Sequence, residues 1–132
     1  MVGVVIVSHS KKVAEGIKEL SMQMAGPAQK IIAAGGMEDG SIGTDAVRIS
    51  EAIKEANCGE GVVVLVDLGS AVLSSNMAVE LLEESGEKID VRVADAPVLE
   101  GAISASVQAF IGGKIEEVVS AAELAREVLK LQ

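Results

Sequence analysis

Short, unbroken apolar runs recur along the chain, and the sharpest, Val62-Val63-Val64-Leu65-Val66, contains no polar alternation at all. A strand with one wet face alternates apolar and polar residues. A strand that is apolar throughout is covered on both faces, the condition of a parallel sheet packed between helices. This run lies in a predicted strand from Gly61 to Asp67, and three more are predicted at Val2 to Ser8, Gln29 to Ala34 and Ile89 to Ala94. Helical patterns fill the intervals. Val13, Ile17, Leu20 and Met24 recur at spacings of four, three and four, with Lys11, Lys12, Glu15, Lys18 and Glu19 turned away, and Gly26-Pro27 stops the pattern. Ala46, Ile49, Ile53 and Ala56 mark a second helix, with Thr44 as the predicted N-cap and Asp45 favoured by the positive end of the helix dipole. A third helix is predicted from Ser70 to Ser85, ended by Gly86. The last two run from Leu99 to Ile111 and from Ile115 to Leu131, broken at Gly112-Gly113.

Strands alternating with helices specify an α/β fold: a doubly wound, mainly parallel four-stranded sheet with helices on both faces. Right-handed crossovers leave few topologies, of which the order 2-1-3-4 is expected. At 132 residues the chain fits one domain, 1–132. Phe110 is the only aromatic residue, so the core must be built from Val, Ile, Leu, Ala and Met. Two helices, 99–111 and 70–85, carry apolar residues around most of their circumference, which implies burial on both sides. Either the last helix overlaps this surface, or a homodimer covers it.

Composition excludes several functions. Eleven basic against twenty acidic residues give a net charge of −9, the wrong sign for nucleic acid or an anionic membrane. The lack of aromatics removes the stacking platforms used for single strands. No apolar run approaches the roughly 18 residues of a membrane span, and the N-terminus has no basic region ahead of an apolar one. One cysteine, Cys58, permits no internal disulfide and sits where a thiolate is not favoured. A cytoplasmic location is therefore expected. No His-rich or Cys-rich spacing points to a metal. The chain has neither a G-x-x-x-x-G-K-[ST] loop nor a G-x-S-x-G elbow, which argues against autonomous ATP hydrolysis and a Ser-His-Asp hydrolase.

The chemistry gathers at the only histidine. His9 follows the first strand and precedes the first helix, at the kind of strand-to-helix turn where open α/β sheets place their ligands. Histidine is the side chain whose ordinary pKa, about 6.5, lies near neutrality. The order 2-1-3-4 sets the first strand beside the third, so Asp67 emerges next to His9 on the same sheet edge. A carboxylate on Nδ1–H would fix the tautomer and leave Nε2 free as a nucleophile, a disposition suited to carrying a phosphoryl group. Gly69 and Ser70 open the helix after the third strand, where free N–H groups meet anions. Gly35-Gly36 and the glycine-rich loop through Thr44 follow the second strand on the same edge. Gly35, Gly36, Thr44, Gly69 and Ser70 are thus candidate phosphate or partner contacts. A receiver-like module phosphorylated on Asp67 is a different reading, but Ser8-His9-Ser10 supplies no acidic residues to hold the Mg²⁺ that a receiver needs.

Val5-Ile6-Val7-Ser8-His9-Ser10, Ile42-Gly43-Thr44-Asp45-Ala46-Val47 and Val66-Asp67-Leu68-Gly69-Ser70-Ala71 together resemble the mannose-class IIA domains of the phosphotransferase system. More narrowly, with Ala96-Pro97-Val98-Leu99-Glu100-Gly101, they are similar to the phosphotransfer subunits of phosphoenolpyruvate-dependent dihydroxyacetone kinases. The resemblance implies that His9 is phosphorylated on Nε2 with Asp67 as its partner. It implies phosphoryl received from the phosphocarrier HPr and passed to ADP held by the kinase subunit DhaL, which phosphorylates dihydroxyacetone on DhaK. It also implies a homodimer, and no cofactor in this chain, with Mg-ADP or Mg-ATP on DhaL. Transport-type IIA domains usually continue after the central strand with a Gly-Gly-Ser-Pro type turn, where Leu68-Gly69-Ser70-Ala71 stands here. Their fifth, edge strand is likewise not evident. Because the sequence ends at Gln132, without the extra carrier domains that some relatives carry, separate donor proteins are expected.

Overall fold

A computed structural model describes residues 1–131 of the chain. Four strands, β1 (Gly3–Ser8), β2 (Ile31–Gly35), β3 (Val62–Val66) and β4 (Val91–Val93), alternate with helices α1 (Lys11–Ala25), α2 (Ala46–Ala56) and α3 (Gly69–Glu84). Helices α4 (Val98–Phe110) and α5 (Ile115–Leu124) follow, and a 3-10 turn closes the series at Ala125–Glu127. The sheet is parallel with the order β2-β1-β3-β4, as the sequence predicts. Edge strand β4 is shorter than predicted, although bonds from Val62 N–H to Asp90 O and from Ala94 N–H to Val64 O extend its ladder by one residue at each end.

Side-chain alternation divides the core in two. Val4, Ile6, Val63 and Leu65 point into one layer, against Ala14 and Ile17 of α1, Ala102 and Ala105 of α4, and Val118 of α5. Val5, Val7, Val62, Val64 and Val66 point into the other, against Ile49 and Ile53 of α2 and Ala71, Ala78 and Leu82 of α3. Both layers are apolar, which is why β1 and β3 read as unbroken runs.

Three expectations need correction. The buried face of α1 is Ala14, Ile17, Ser21 and Ala25, whereas Val13, Leu20 and Met24 are 47%, 50% and 65% exposed. Small side chains let α1 approach the alanines of α4 closely, and this turns the larger residues out to the flank. The last helix ends at Leu124 rather than Leu131. Its apolar period runs out with Ala125, and Val128, Leu129 and Leu131 find no layer to enter. Finally, α2 is capped by Asp45, whose carboxylate accepts from the N–H groups of Val47 and Arg48, and not by Thr44.

The two strongly apolar helices divide as well. Helix α4 lies between α1 and α5, covered within the chain. Helix α3 buries Ala71, Ser75, Ala78 and Leu82 but leaves Leu73, Met77 and Leu81 exposed. Among the described residues no helix is long and apolar enough to cross a membrane.

Candidate functional site

Register builds the site. Val7 pairs with Val66, so the residues that follow on β1 and β3, Ser8-His9 and Asp67, meet where both strands leave the sheet. The His9 ring donates from Nδ1 to Asp67 Oδ1 over 2.9 Å, and its backbone N–H donates to Oδ2 over 3.0 Å. Ser8 Oγ also donates to Oδ2, at 2.9 Å, and the Leu68 N–H donates to Oδ1, at 2.7 Å. Both carboxylate oxygens are therefore filled. Burial alone would raise the pKa of Asp67, but donation from the His9 backbone, the His9 ring, Ser8 and Leu68 outweighs it and holds the carboxyl below the usual aspartate range. An ionised carboxylate only accepts hydrogen bonds, so in the neutral ring Nδ1 carries the proton and Nε2 the lone pair.

That lone pair points at the start of α3. Ser70 Oγ lies 2.5 Å from Nε2, with its hydroxyl donating to the unprotonated nitrogen. No side chain caps α3, whose N-cap position is Leu68. By contrast, Ser10 caps α1 and Asp45 caps α2. The Gly69 and Ser70 N–H groups that open α3 thus lie uncapped beside Nε2, where a helix dipole favours negative charge.

The structure separates the remaining predicted residues. Gly69 and Ser70 are exposed at the mouth of the site. Gly36, at φ +69°, is buried and spends its N–H on Ser8 O at 3.1 Å. Gly35 is buried where β2 meets α1, and a Cβ there would stand 2.6 Å from Ser10 O and 2.8 Å from Lys11 Cα. These two glycines serve close packing beneath the site. Thr44 Oγ1 bonds Ser74 Oγ at 2.6 Å, tying the loop after β2 to α3, and Gly43 N–H donates to His9 O at 2.9 Å from the same loop. The sequence reading missed Ser8, Gly43 and Ser74 as parts of this arrangement. Ser8 left a signal there, as a polar residue closing an otherwise apolar strand, and Gly43 another, as part of the glycine-rich loop.

The family model described as "PTS system fructose IIA component", EIIA-man, matches residues 3–119. The chain belongs to this EIIA-man family. It is 39% identical over 120 residues to "PEP-dependent dihydroxyacetone kinase 2, phosphoryl donor subunit DhaM" of Listeria innocua, covering 90% of this chain and 94% of that protein. Against the corresponding DhaM subunit of Escherichia coli K12 the identity is 43% over 136 residues, but this EIIA-man chain spans only 28% of that protein's length. Among solved structures, a crystal structure of a protein of unknown function shares 37% identity with a TM-score of 0.80 over 92% of each chain. Membership makes the chain a phosphotransferase-system component.

Proposed function

We propose that this protein is the phosphohistidine carrier of a phosphoenolpyruvate-dependent dihydroxyacetone kinase, with His9 as the carrier residue. Phospho-HPr is the donor, and Mg-ADP on DhaL is the acceptor. The observation that carries the reading is the pairing of an Nδ1–H held by Asp67 with an Nε2 that faces Ser70 at an uncapped helix N-terminus. The similarity to proteins named as phosphoryl donor subunits supports the same assignment.

The Nε2 lone pair attacks phosphorus in line with the donor's P–N bond, and the electrons of that bond return to the donor's ring. Asp67 stabilises the positive charge that develops on the His9 ring. Phosphoryl oxygens settle against the first N–H groups of α3, and the Ser70 hydroxyl turns from Nε2 to an oxygen. Transfer onward reverses these motions. The four donors already on Asp67 favour an orienting role over that of a phosphate acceptor. The exposed residues Leu73, Met77 and Leu81 of α3 support a homodimer.

Incubation with phosphoenolpyruvate, Enzyme I and HPr is expected to add one phosphate per chain, labile to acid and stable to base, and His9→Ala is expected to abolish it. Labelling that persists in His9→Ala would overturn the site. Offering ADP-loaded DhaL beside a IIB protein separates a kinase donor from a transport component, since phosphoryl should pass to ADP alone.

A further inference from the structure

Ser8 closes β1 and is only 1% exposed. A hydroxyl has one proton to give and two lone pairs. The Ser10 N–H fills one lone pair at 3.1 Å, and the proton goes to Asp67 Oδ2 at 2.9 Å. By contrast, the buried hydroxyls of Ser21, Ser75 and Ser106 make no hydrogen bond among the described residues. With Ser8 and the His9 backbone both on Oδ2, the carboxylate is turned so that Oδ1 meets Nδ1 of the ring.

We propose that Ser8 is a positioning residue for phosphoryl transfer: it aims the Asp67 carboxylate at Nδ1 and holds it there while the ring gains and gives up the phosphoryl group. The proposal rests on the reading of His9 as the phosphoryl carrier. When Nε2 bonds phosphorus, the donor's P–N bond breaks and its electron pair stays on the donor's ring. The His9 ring keeps its Nδ1 proton and becomes positively charged. When the phosphoryl group moves to an oxygen of the acceptor, the Nε2–P electron pair returns to a ring that still holds one proton, so the leaving group is neutral imidazole. Loss of that proton to Asp67 beforehand would make the leaving group an imidazolate, which departs far more slowly. The ring keeps that proton on Nδ1 only while a carboxylate oxygen faces it, and among the described residues the Ser8 bond is one of two on Oδ2 that fix the carboxylate in that orientation.

Ser8→Ala removes the donor with little change in volume, and Ser8→Thr restores it. Nitrogen-15 NMR of the ring reports which nitrogen bears the proton, and single-turnover assays report transfer from phospho-HPr and to ADP-loaded DhaL. In Ser8→Ala the Nδ1–H signal is expected to shift and to exchange faster with water. Transfer is expected to slow about tenfold, the worth of one hydrogen bond to a charged group. Ser8→Thr is expected to keep the wild-type signal and stay within about threefold of its rate, less than that one bond is worth. The proposal is overturned if Ser8→Ala transfers at the wild-type rate, or if it slows while the ring signal stays unchanged. Failure of the wild-type protein itself to gain phosphate on His9 would instead remove the carrier reading. The ring spectra of the unphosphorylated variants would still judge Ser8, and an unshifted signal would overturn its role.

Discussion

Asp67 illustrates how a single side chain can serve both the chemistry and the fold. Its carboxyl is partly buried, which by itself raises a pKa, yet four hydrogen-bond donors bring it below the ordinary range. A group whose native pKa is depressed stabilises the fold fully above its unfolded value, about 3.9 for aspartate, and loses that contribution as pH falls through the native value. Asp67→Asn is therefore expected to be less stable than the wild type at pH 7 and to lose less stability than it below about pH 4. Urea unfolding at a series of pH values checks this. In the transfer assay, Asp67→Ala is expected to remain folded and to slow phosphorylation of His9 by about a hundredfold or more, because the ring loses both its fixed tautomer and its counter-charge. Of this residue cluster, the juxtaposition of His9, Asp67 and Ser70 was legible in the sequence. The strand order alone brings the ends of the first and third strands together, and a helix start must follow. The role of Ser8 was not legible, because a serine that ends a strand looks the same whether its hydroxyl meets water or a carboxylate. Thr44 and Asp45 were indistinguishable for a similar reason. Both are good caps, one residue apart, and only the bond from Thr44 to Ser74 shows that Thr44 is otherwise engaged.

At the scale of elements, apolar periodicity identified α1 but not the arc it buries. The stripes Val13-Ile17-Leu20-Met24 and Ala14-Ile17-Ser21-Ala25 share Ile17 and otherwise lie one residue apart, about 100° around the helix. A hydrophobicity argument chooses the larger side chains, while close packing against Ala102, Ala105 and Ala109 of α4 chooses the smaller. The same closeness constrains the base of the site. Gly35 pairs with Ser8 in the register of β1 and β2, and it leaves no space for a methyl group between β2 and the first turn of α1. Gly35→Ala would press on Ser10 O, Lys11 Cα and Ala14 Cβ, and two of these are backbone atoms that cannot swing aside. The variant is expected to lose about 1–3 kcal/mol of stability, measured by denaturant unfolding. It is also expected to slow His9 phosphorylation, because Ser10, the N-cap of α1, carries the N–H that holds Ser8. The loss of stability that accompanies the slower transfer distinguishes a packed foundation from a phosphate contact, which would slow transfer alone.

Among the apolar side chains that the described residues expose, those of α3 bear on how whole molecules assemble. Leu73, Met77 and Leu81 lie four residues apart, on one stripe of α3, and Leu73 and Met77 are 66% and 56% exposed. The sequence marked this helix as apolar on more than one face but could not separate cover by the chain itself from cover by a second copy. Helix α4, marked in the same way, proves to be enclosed by α1 and α5. For α3 the homodimer reading leads to an electrostatic consequence. Two chains of net charge −9 repel one another, so apolar contact must overcome a long-range penalty that salt screens within about 10 Å at 0.1 M. The dimer is therefore expected to tighten as sodium chloride rises from 0.02 to about 0.5 M, opposite to an interface held by ion pairs. Sedimentation velocity across that range, at low protein concentration, measures the change. Met77→Glu places a further charge in the middle of the stripe and is expected to yield a monomer at every salt concentration, with the helix content of the wild type. A wild-type chain that sediments as a monomer throughout would overturn the homodimer, because no second copy would then cover the α3 stripe.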